Sequence, residues 1–258
     1  IYDQTCAAEK RRRRKKGIIN EPNKRLFINH LVCEGCGDCS KASNCVSIEP
    51  YETEFGRKRK INQSSCNKDY SCSDGFCPSF ISIIDGKIKK KDKKIIHLSQ
   101  KDISLIPEPI KLNLKEPHNI LVAGIGGTGV VTIGALIGIA AHIENKGISV
   151  LDKVGLAQKG GAVVSHIRIA KNPEDIFAVN ISKRTTDFLL GCDMVTASSS
   201  AVRELMDPSR TSSIINDNET PIAESVLNPD YSFNAKRTRE VINEYSLDNE
   251  FNPVLSVF

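Results

Sequence analysis

Asn119-Ile-Leu-Val-Ala123, Gly124-Ile-Gly126-Gly127-Thr-Gly129, Val130 to Asn145 and Ile148-Ser-Val-Leu-Asp152 follow one another in the second half of the chain. A short continuous apolar run predicts a buried strand, the glycines a tight turn, and the longer apolar stretch a helix. Gly134 and Gly138 weaken that helix and allow close packing on a sheet, and Gly147 is placed to end it. Strand, helix and strand predict an α/β domain over residues 118–258, a Rossmann-like parallel sheet with covering helices. The apolar length from Ile120 to Ile143 is enough for a membrane span, but its glycine cluster fits strand–turn–helix better, so no membrane is expected. Val163 to Ile169 alternates as a further strand. Phe188-Leu-Leu190 and Met194-Val-Thr196 flank Cys192-Asp193 as a helix-to-strand passage, and Lys236 to Tyr245 reads as an amphipathic helix.

The glycines Gly124, Gly126, Gly127 and Gly129 match G-x-G-x-x-G, with Asp152 about twenty residues on, where a dinucleotide site places its ribose-binding acid. The same glycines serve a tight turn for backbone reasons alone, and a helix N-terminus favours phosphate or carboxylate without a dinucleotide. Spacing leaves these readings open. His142 and His166 read as packed or hydrogen-bonded, Cys192 as a small buried residue, and Ser198 to Ser200 as a polar loop.

Upstream, Lys87 to Lys94 is dense in lysine, Ile95-Ile-His97-Leu98 reads as an edge strand, and Pro107, Pro109 and Pro117 break the chain. The stretch 98–117 is therefore a linker, and residues 25–97 are a separate module. That module holds seven of the nine cysteines. Cys33-Glu-Gly-Cys36-Gly-Asp-Cys39 puts three thiolates on one tight loop, which suits a cubane iron–sulfur cluster, and Cys77-Pro78 supplies the remote fourth ligand. Zinc more often uses two separated pairs, and structural disulfides compete badly at this spacing, so both are weaker readings. Cys45, Cys66 and Cys72 remain, one thiolate short of a second [4Fe–4S] set. Either a three-iron cluster, or a fourth ligand from Asp69, Asp74 or Cys6, or a structural role for the three accounts for the gap. Leu26-Phe-Ile28, Val46-Ser-Ile48 and Phe80 to Ile84 are short strands beside the cysteines, with a turn at Glu54-Phe-Gly56, so a small ferredoxin-like α+β module with a two-fold pseudo-repeat is expected.

Residues 1–24 carry the basic run Arg11 to Lys16. It reads as a solvated or internally paired loop, as a dock for an acidic electron carrier, or as a nucleic-acid contact. With no Trp and 5% aromatic residues, base stacking is poorly supplied, and nucleic acid is not expected. The net charge of +5 attracts anionic partners without demanding nucleic acid. No signal or transit peptide is visible, so the cytoplasm is expected. The unpunctuated start at Ile1 and end at Phe258 read as a fragment of a longer polypeptide.

Taken together, the chain resembles the large fused indolepyruvate (2-oxoacid):ferredoxin oxidoreductases. The resemblance rests on Tyr2-Asp-Gln-Thr-Cys6-Ala-Ala-Glu-Lys with the basic run, the Cys33 loop, Glu54-Phe-Gly56-Arg-Lys and Cys66-Asn-Lys-Asp-Tyr-Ser-Cys72. Gly75-Phe-Cys77-Pro78, the Gly124–Gly129 turn and Gly155-Leu-Ala-Gln158-Lys-Gly160-Gly161 extend it. It implies the tail of a thiamine-diphosphate domain over 1–24, a 4Fe–4S ferredoxin-type segment and a gamma domain, in that order. It further implies oxidative decarboxylation of a 2-oxoacid with thiamine diphosphate, magnesium and coenzyme A, electrons leaving through iron–sulfur clusters to ferredoxin. The remaining domains of the same enzyme would be partners, because no Gly-Asp-Gly diphosphate–magnesium motif occurs in these residues. It also implies that the glycine turn is structural or anion-contacting rather than a nicotinamide site. The alternative is a ferredoxin-type carrier fused to an NAD- or FAD-binding reductase domain.

Overall fold

The computed structural model describes residues 7–87, 113–155, 161–217, 226–228, 230–231, 233–247 and 254–255. Cys6, the stretch Ile95 to Leu98, Pro107 and Pro109 lie outside the described residues. The basic run forms a helix, α1 (Ala7–Lys15), not the loop expected of six adjacent cations. Pairing offsets the repulsion. Glu9 in the first turn accepts from Arg12 at 2.5 Å and Arg13 at 3.1 Å, the i+3 and i+4 positions. Arg11 donates to the Ser65 carbonyl at 2.7 Å and Asn67 Oδ1 at 2.8 Å, and Arg14 to the Asn67 carbonyl. All four arginines thus face either Glu9 or the loop that carries Cys66, and the internally paired reading describes them.

The cysteine module follows as β1 (Lys24–Ile28), α2 (Asp38–Ser43), β2 (Ile48–Thr53), β3 (Gly56–Ile61), a 3-10 turn at Ser71–Ser73 and β4 (Phe80–Ile84). β1 pairs antiparallel with β4, and β2 with β3. The second strand starts at Ile48, so Val46 and Ser47 belong to the turn before it. Among the described residues, Ile28, Cys33 and Ile48 form the buried cluster at its centre, with Cys39, Ile61, Cys72 and Phe80 packed on it. So small an apolar core is marginal alone, and three of these seven residues are cysteines.

The second unit is a six-stranded sheet in the order β10-β9-β8-β5-β7-β6. Its strands are β5 (His118–Ile125), β6 (Gly147–Val154), β7 (Ala162–Ala170), β8 (Phe188–Gly191), β9 (Ser212–Asn216) and β10 (Val254–Leu255). The sheet is mixed, not wholly parallel: β8, β9 and β10 run parallel beside β5, whereas β7 is antiparallel to both β5 and β6. The cause is visible in the chain length. Residues 155–161 are too few for a parallel crossover, which needs a dozen or more, so β6 and β7 form a hairpin. Gly147 does not end the helix, which stops at Ile143 with Asn145 left-handed just beyond it; it opens β6 instead.

Helix α3 (Val130–Ile143) covers the β6–β7 side. A Cβ on Gly134 would lie 2.7 Å from Ser165 Oγ, and one on Gly138 would lie 3.2 Å from Val150, so both glycines serve close packing. One core joins Val122, Val130, Val163 and Ile167 with Ile133 and Ile137 of α3. The opposite face joins Leu121, Leu189, Met194, Val202, Ile215 and Ile242. The last comes from helix α6 (Ala235–Glu244), the amphipathic segment expected over 236–245. The passage at Cys192-Asp193 runs from strand to helix, the reverse of the expectation: β8 precedes α4 (Met194–Ala197) and α5 (Ser200–Arg203). Asp193 is fully buried, and its carboxylate accepts from Ile125 N at 2.6 Å and Thr196 N at 2.8 Å. It caps α4 and pins the end of β5 in one contact. Among the described residues, no helix is long and apolar enough to cross a membrane.

Asp193→Ala leaves two buried amides without an acceptor and is expected to cost about 2–4 kcal/mol, read as a lower urea midpoint. Asp193→Asn, which keeps one oxygen, falls in between. His142 is exposed in the last turn of α3, contrary to the packed reading, whereas His166 is buried at 1% exposure and its Nδ1 accepts from Ile181 N at 3.1 Å. Burial first, then the Lys153 charge, pushes the His166 pKa from 6.5 down to about 4. The unfolded chain therefore binds this proton before the folded one does. Stability is complete above pH 6.5 and falls as pH drops towards 4, by about 3 kcal/mol across that window. His166→Gln is expected to flatten that part of the urea-midpoint profile.

Candidate metal centre

Cys33 follows β1 through a turn in which the Val32 and Cys33 amides donate to the Asn29 carbonyl. Beyond it, Gly35 (φ 80) and Gly37 (φ 81) take the left-handed conformation that L side chains rarely adopt. At Gly35 the requirement is double, because a Cβ would strike the Arg57 carbonyl of β3. These two reversals bring Cys33, Cys36 and Cys39 to one cavity of about 490 Å³, which Cys72, Cys77 and Arg59 also line. The predicted set Cys33, Cys36, Cys39 and Cys77 is thus gathered in one place. Cys33 is buried and Cys39 half-buried, while Cys36 and Cys77 stand at the exposed mouth near Phe76, which is 100% exposed. Cys77 Sγ lies 3.0 Å from Ser79 Oγ.

Cys72 also faces the second group. Burial pushes its pKa up to about 12, and the neighbouring Cys45, Cys66 and Cys39 push the same way. Burial likewise pushes Cys39 up to about 11, with Cys33 and Cys36 adding to it while the Ser40 amide and Arg59 oppose it. Cys45, Cys66 and Cys72 therefore lie within electrostatic reach of one another, and Cys72 with Cys39 joins the two groups. Among the described residues, every cysteine is a free thiol.

The two groups share a local geometry that spacing alone does not reveal. Gly35 N donates to Cys33 Sγ at 3.4 Å, and Lys68 N donates to Cys66 Sγ at 3.4 Å. In both cases the donor sits two residues after the cysteine with φ positive, +80 at Gly35 and +56 at Lys68. Lys68 is only 8% exposed, and its ammonium is held by Glu21. Of the proposed extra ligands, Asp74 lines the first cavity rather than the second group, and Asp69 accepts from the Ser71 hydroxyl at 3.1 Å. Among the described residues, no three Cys, His, Asp or Glu side chains converge on a single-ion position.

In the α/β unit, Gly127 (φ 100) and Gly129 (φ 93) are left-handed, and a Cβ on Gly124 would meet Thr128, Cys192 and Val130 within 2.8 Å. The Gly126 amide donates to the Gly161 carbonyl at 2.8 Å. Asp152 sits on β6, which β7 separates from β5, so the acid does not stand beside the glycine turn. Cys192 is half-buried against Thr128 rather than sealed in the core.

Sequence reasoning missed Arg59, Arg11, Arg14 and Lys68 as neighbours of the thiols. For Arg59 a signal existed: in β3 it shares a face with Ile61, the inward side of the strand. For Arg11 and Arg14, nothing in the basic run marks which cations turn inward.

The described architecture, a cysteine-lined module followed by a mixed α/β sheet, defines a class when set against known proteins. Residues 119–244 match the family described as pyruvate ferredoxin/flavodoxin oxidoreductase. Over 80 residues, 31% of this chain and 38% of the relative, the chain is 29% identical to the indolepyruvate oxidoreductase subunit IorB of Thermococcus kodakarensis. Over 54 residues, 21% of this chain and 28% of the relative, it is 37% identical to the IorB subunit of Methanothermobacter thermautotrophicus. Among solved structures, pyruvate oxidoreductase subunit PORC from Thermotoga maritima is similar with a TM-score of 0.33 and 17% identity, over 43% of this chain and 56% of that one. Over residues 119–244, the α/β unit, the chain is thus similar to the 2-oxoacid:ferredoxin oxidoreductases. It spans 38% or less of the length of the curated relatives it matches.

Gly35→Ala is expected to disrupt the cysteine loop, since both backbone sign and space forbid the methyl group. Gly56→Ala has a similar φ of +85 but open space, and is expected to cost only about 1 kcal/mol. Thermal melts of the two variants, with thiol titration to follow exposure of Cys33, check the difference.

Proposed function

We propose that residues 24–86 are an iron–sulfur relay within a 2-oxoacid:ferredoxin oxidoreductase, of indolepyruvate type. The observation that carries this reading is the convergence of Cys33, Cys36, Cys39 and Cys77 on one cavity. The donor set fits: all four are sulfur, all are free, and the loop's left-handed glycines are shaped for wrapping rather than for a strand. When bound, a [4Fe–4S] cluster supplies one-electron transfer at a potential set by charge, hydrogen bonding and exposure. The chain's own contribution is to hold thiolates against their mutual repulsion. Gly35 N and Lys68 N donate to cysteine sulfurs, and Arg59 places positive charge in the cavity. Cys45, Cys66 and Cys72 form the second, three-thiolate site, supported by the matching loop geometry around Cys66.

In this reading the carbon chemistry, with thiamine diphosphate, magnesium and coenzyme A, belongs to other parts of the enzyme, and ferredoxin accepts the electrons. The indolepyruvate assignment draws on the named subunit relatives. The glycine turn is then a packing device: Gly124 and the Thr128–Cys192 contact close β5 onto β8. A nicotinamide or flavin reductase is the weaker reading, because β7 separates Asp152 from the turn.

Iron and acid-labile sulfide on anaerobically purified protein test the relay. About eight irons per chain, or about seven with a three-iron second site, support two clusters, and about four support the first alone. Protein that retains neither iron nor sulfide refutes the reading. Cys36→Ser is expected to lower the iron of the first site and to leave the Cys45–Cys66–Cys72 contribution in place.

A further inference from the structure

β1 and β4 pair as far as Ile28 and Phe80, and one residue further the Asn29 amide donates to the Ser79 carbonyl at 2.8 Å. The Asn29 carbonyl in turn accepts from the Val32 and Cys33 amides at 3.1 and 2.9 Å. The backbone of one residue therefore ties Ser79 to the start of the loop that carries Cys33, Cys36 and Cys39. Ser79 is 2% exposed and lines the cavity with those cysteines. A buried hydroxyl needs a partner. Among the described residues its Oγ has one, Cys77 Sγ at 3.0 Å. Either atom can donate while Cys77 is a thiol. A cysteine that ligates iron has given up its proton, so the hydroxyl is then the donor. At Cys33 and Cys66 the donor two residues on is a backbone amide, whereas at Cys77 it is a side chain. Of the three, only the Ser79 donor can be removed by substitution.

We propose that the Ser79 hydroxyl donates to the Cys77 thiolate and, through that bond, raises the reduction potential of the centre held by Cys33, Cys36, Cys39 and Cys77. The inference rests on the iron–sulfur reading above. A hydrogen bond to an ionised acceptor is stronger than one between neutral groups. One-electron reduction adds negative charge to the cluster, part of it on the ligating sulfurs, so the bond strengthens in the reduced state. Hydrogen bonds to the sulfurs are among the levers that set such potentials. Ser79 therefore stabilises the reduced form more than the oxidised one. It is a positioning residue: it makes no bond to iron and transfers no proton.

The test uses the full chain, purified anaerobically, with iron content and a dithionite redox titration followed by EPR on the signal that Cys36→Ser alters. Ser79→Ala is expected to shift the midpoint potential to more negative values at unchanged iron content. Ser79→Thr, which keeps the hydroxyl, is expected to stay near the wild-type value. An Ala variant with full iron and an unshifted potential overturns the proposal and leaves the cluster reading intact. A Thr variant shifted as far as Ala also overturns it, because altered packing then accounts for the shift. Exchange into deuterium oxide gives a second readout, the iron–cysteine stretching bands in the resonance Raman spectrum. These are expected to move more in wild-type protein than in Ser79→Ala, and equal movement overturns the proposal. If Ser79→Ala loses its iron, retention of iron at near-wild-type potential in Ser79→Thr upholds the hydroxyl's role, and loss in both variants overturns it. Wild-type protein without iron sinks the cluster reading and this inference together.

Discussion

The N-terminal module depends on one constraint: three of the seven residues in its core cluster are cysteines. Ile28, Ile48, Ile61 and Phe80 give a small apolar core for a stable domain, and Cys33, Cys39 and Cys72 complete the packing. As protonated thiols these side chains behave as small apolar residues. As thiolates they repel one another and resist burial, which is why Cys39 and Cys72 are pushed up to about 11 and about 12. The same atoms cannot be both a comfortable core and a set of free anions. In the proposed reading, a metal centre would resolve the conflict by supplying positive charge and releasing the protons on binding, coupling its assembly to the folding of the module.

The surrounding cations follow from that constraint. Arg59 enters from β3, Lys68 lies buried beside Cys66, and Arg11 and Arg14 reach from α1 to the Ser65–Asn67 backbone. Long-range contacts of this kind join segments more than fifty residues apart, and they make the basic helix part of the thiol site rather than a separate surface. The positive charge of the sequence is therefore partly directed inward. Its use as a carrier dock is left to the exposed Lys10, Lys15 and Lys16 together with Arg12 and Arg13, which already share Glu9.

Much of this was legible in the chain. The Cys33 loop with Cys77, the turn at Gly124–Gly129 and the helix beyond it were readable because spacing and glycine placement are local properties. The direction of β7 was readable too, had the seven residues between β6 and β7 been weighed as a connection length. What was not legible depends on pairing partners. That α1 forms at all comes from Glu9 and a remote loop. That Lys68 takes a left-handed backbone comes from the sulfur its amide must meet, since lysine has no intrinsic preference for it. The mixed sheet also removes the physical basis of the dinucleotide match, because a fingerprint fixes the turn but not which strand lies next to it.

The two units are linked as well as consecutive. Arg57 Nη1 donates to the Tyr231 carbonyl at 2.8 Å, and the same arginine holds Glu52 on the β2–β3 hairpin. The Arg57 carbonyl is the atom that Gly35 must clear. One residue therefore touches the hairpin, the cysteine loop and the α/β unit. A shift of the α/β unit relative to the hairpin would be felt first at Gly35, within the loop that gathers the thiols. In a module whose core includes three cysteines, that contact ties the shape of the cysteine loop to the placement of the α/β unit through backbone sterics.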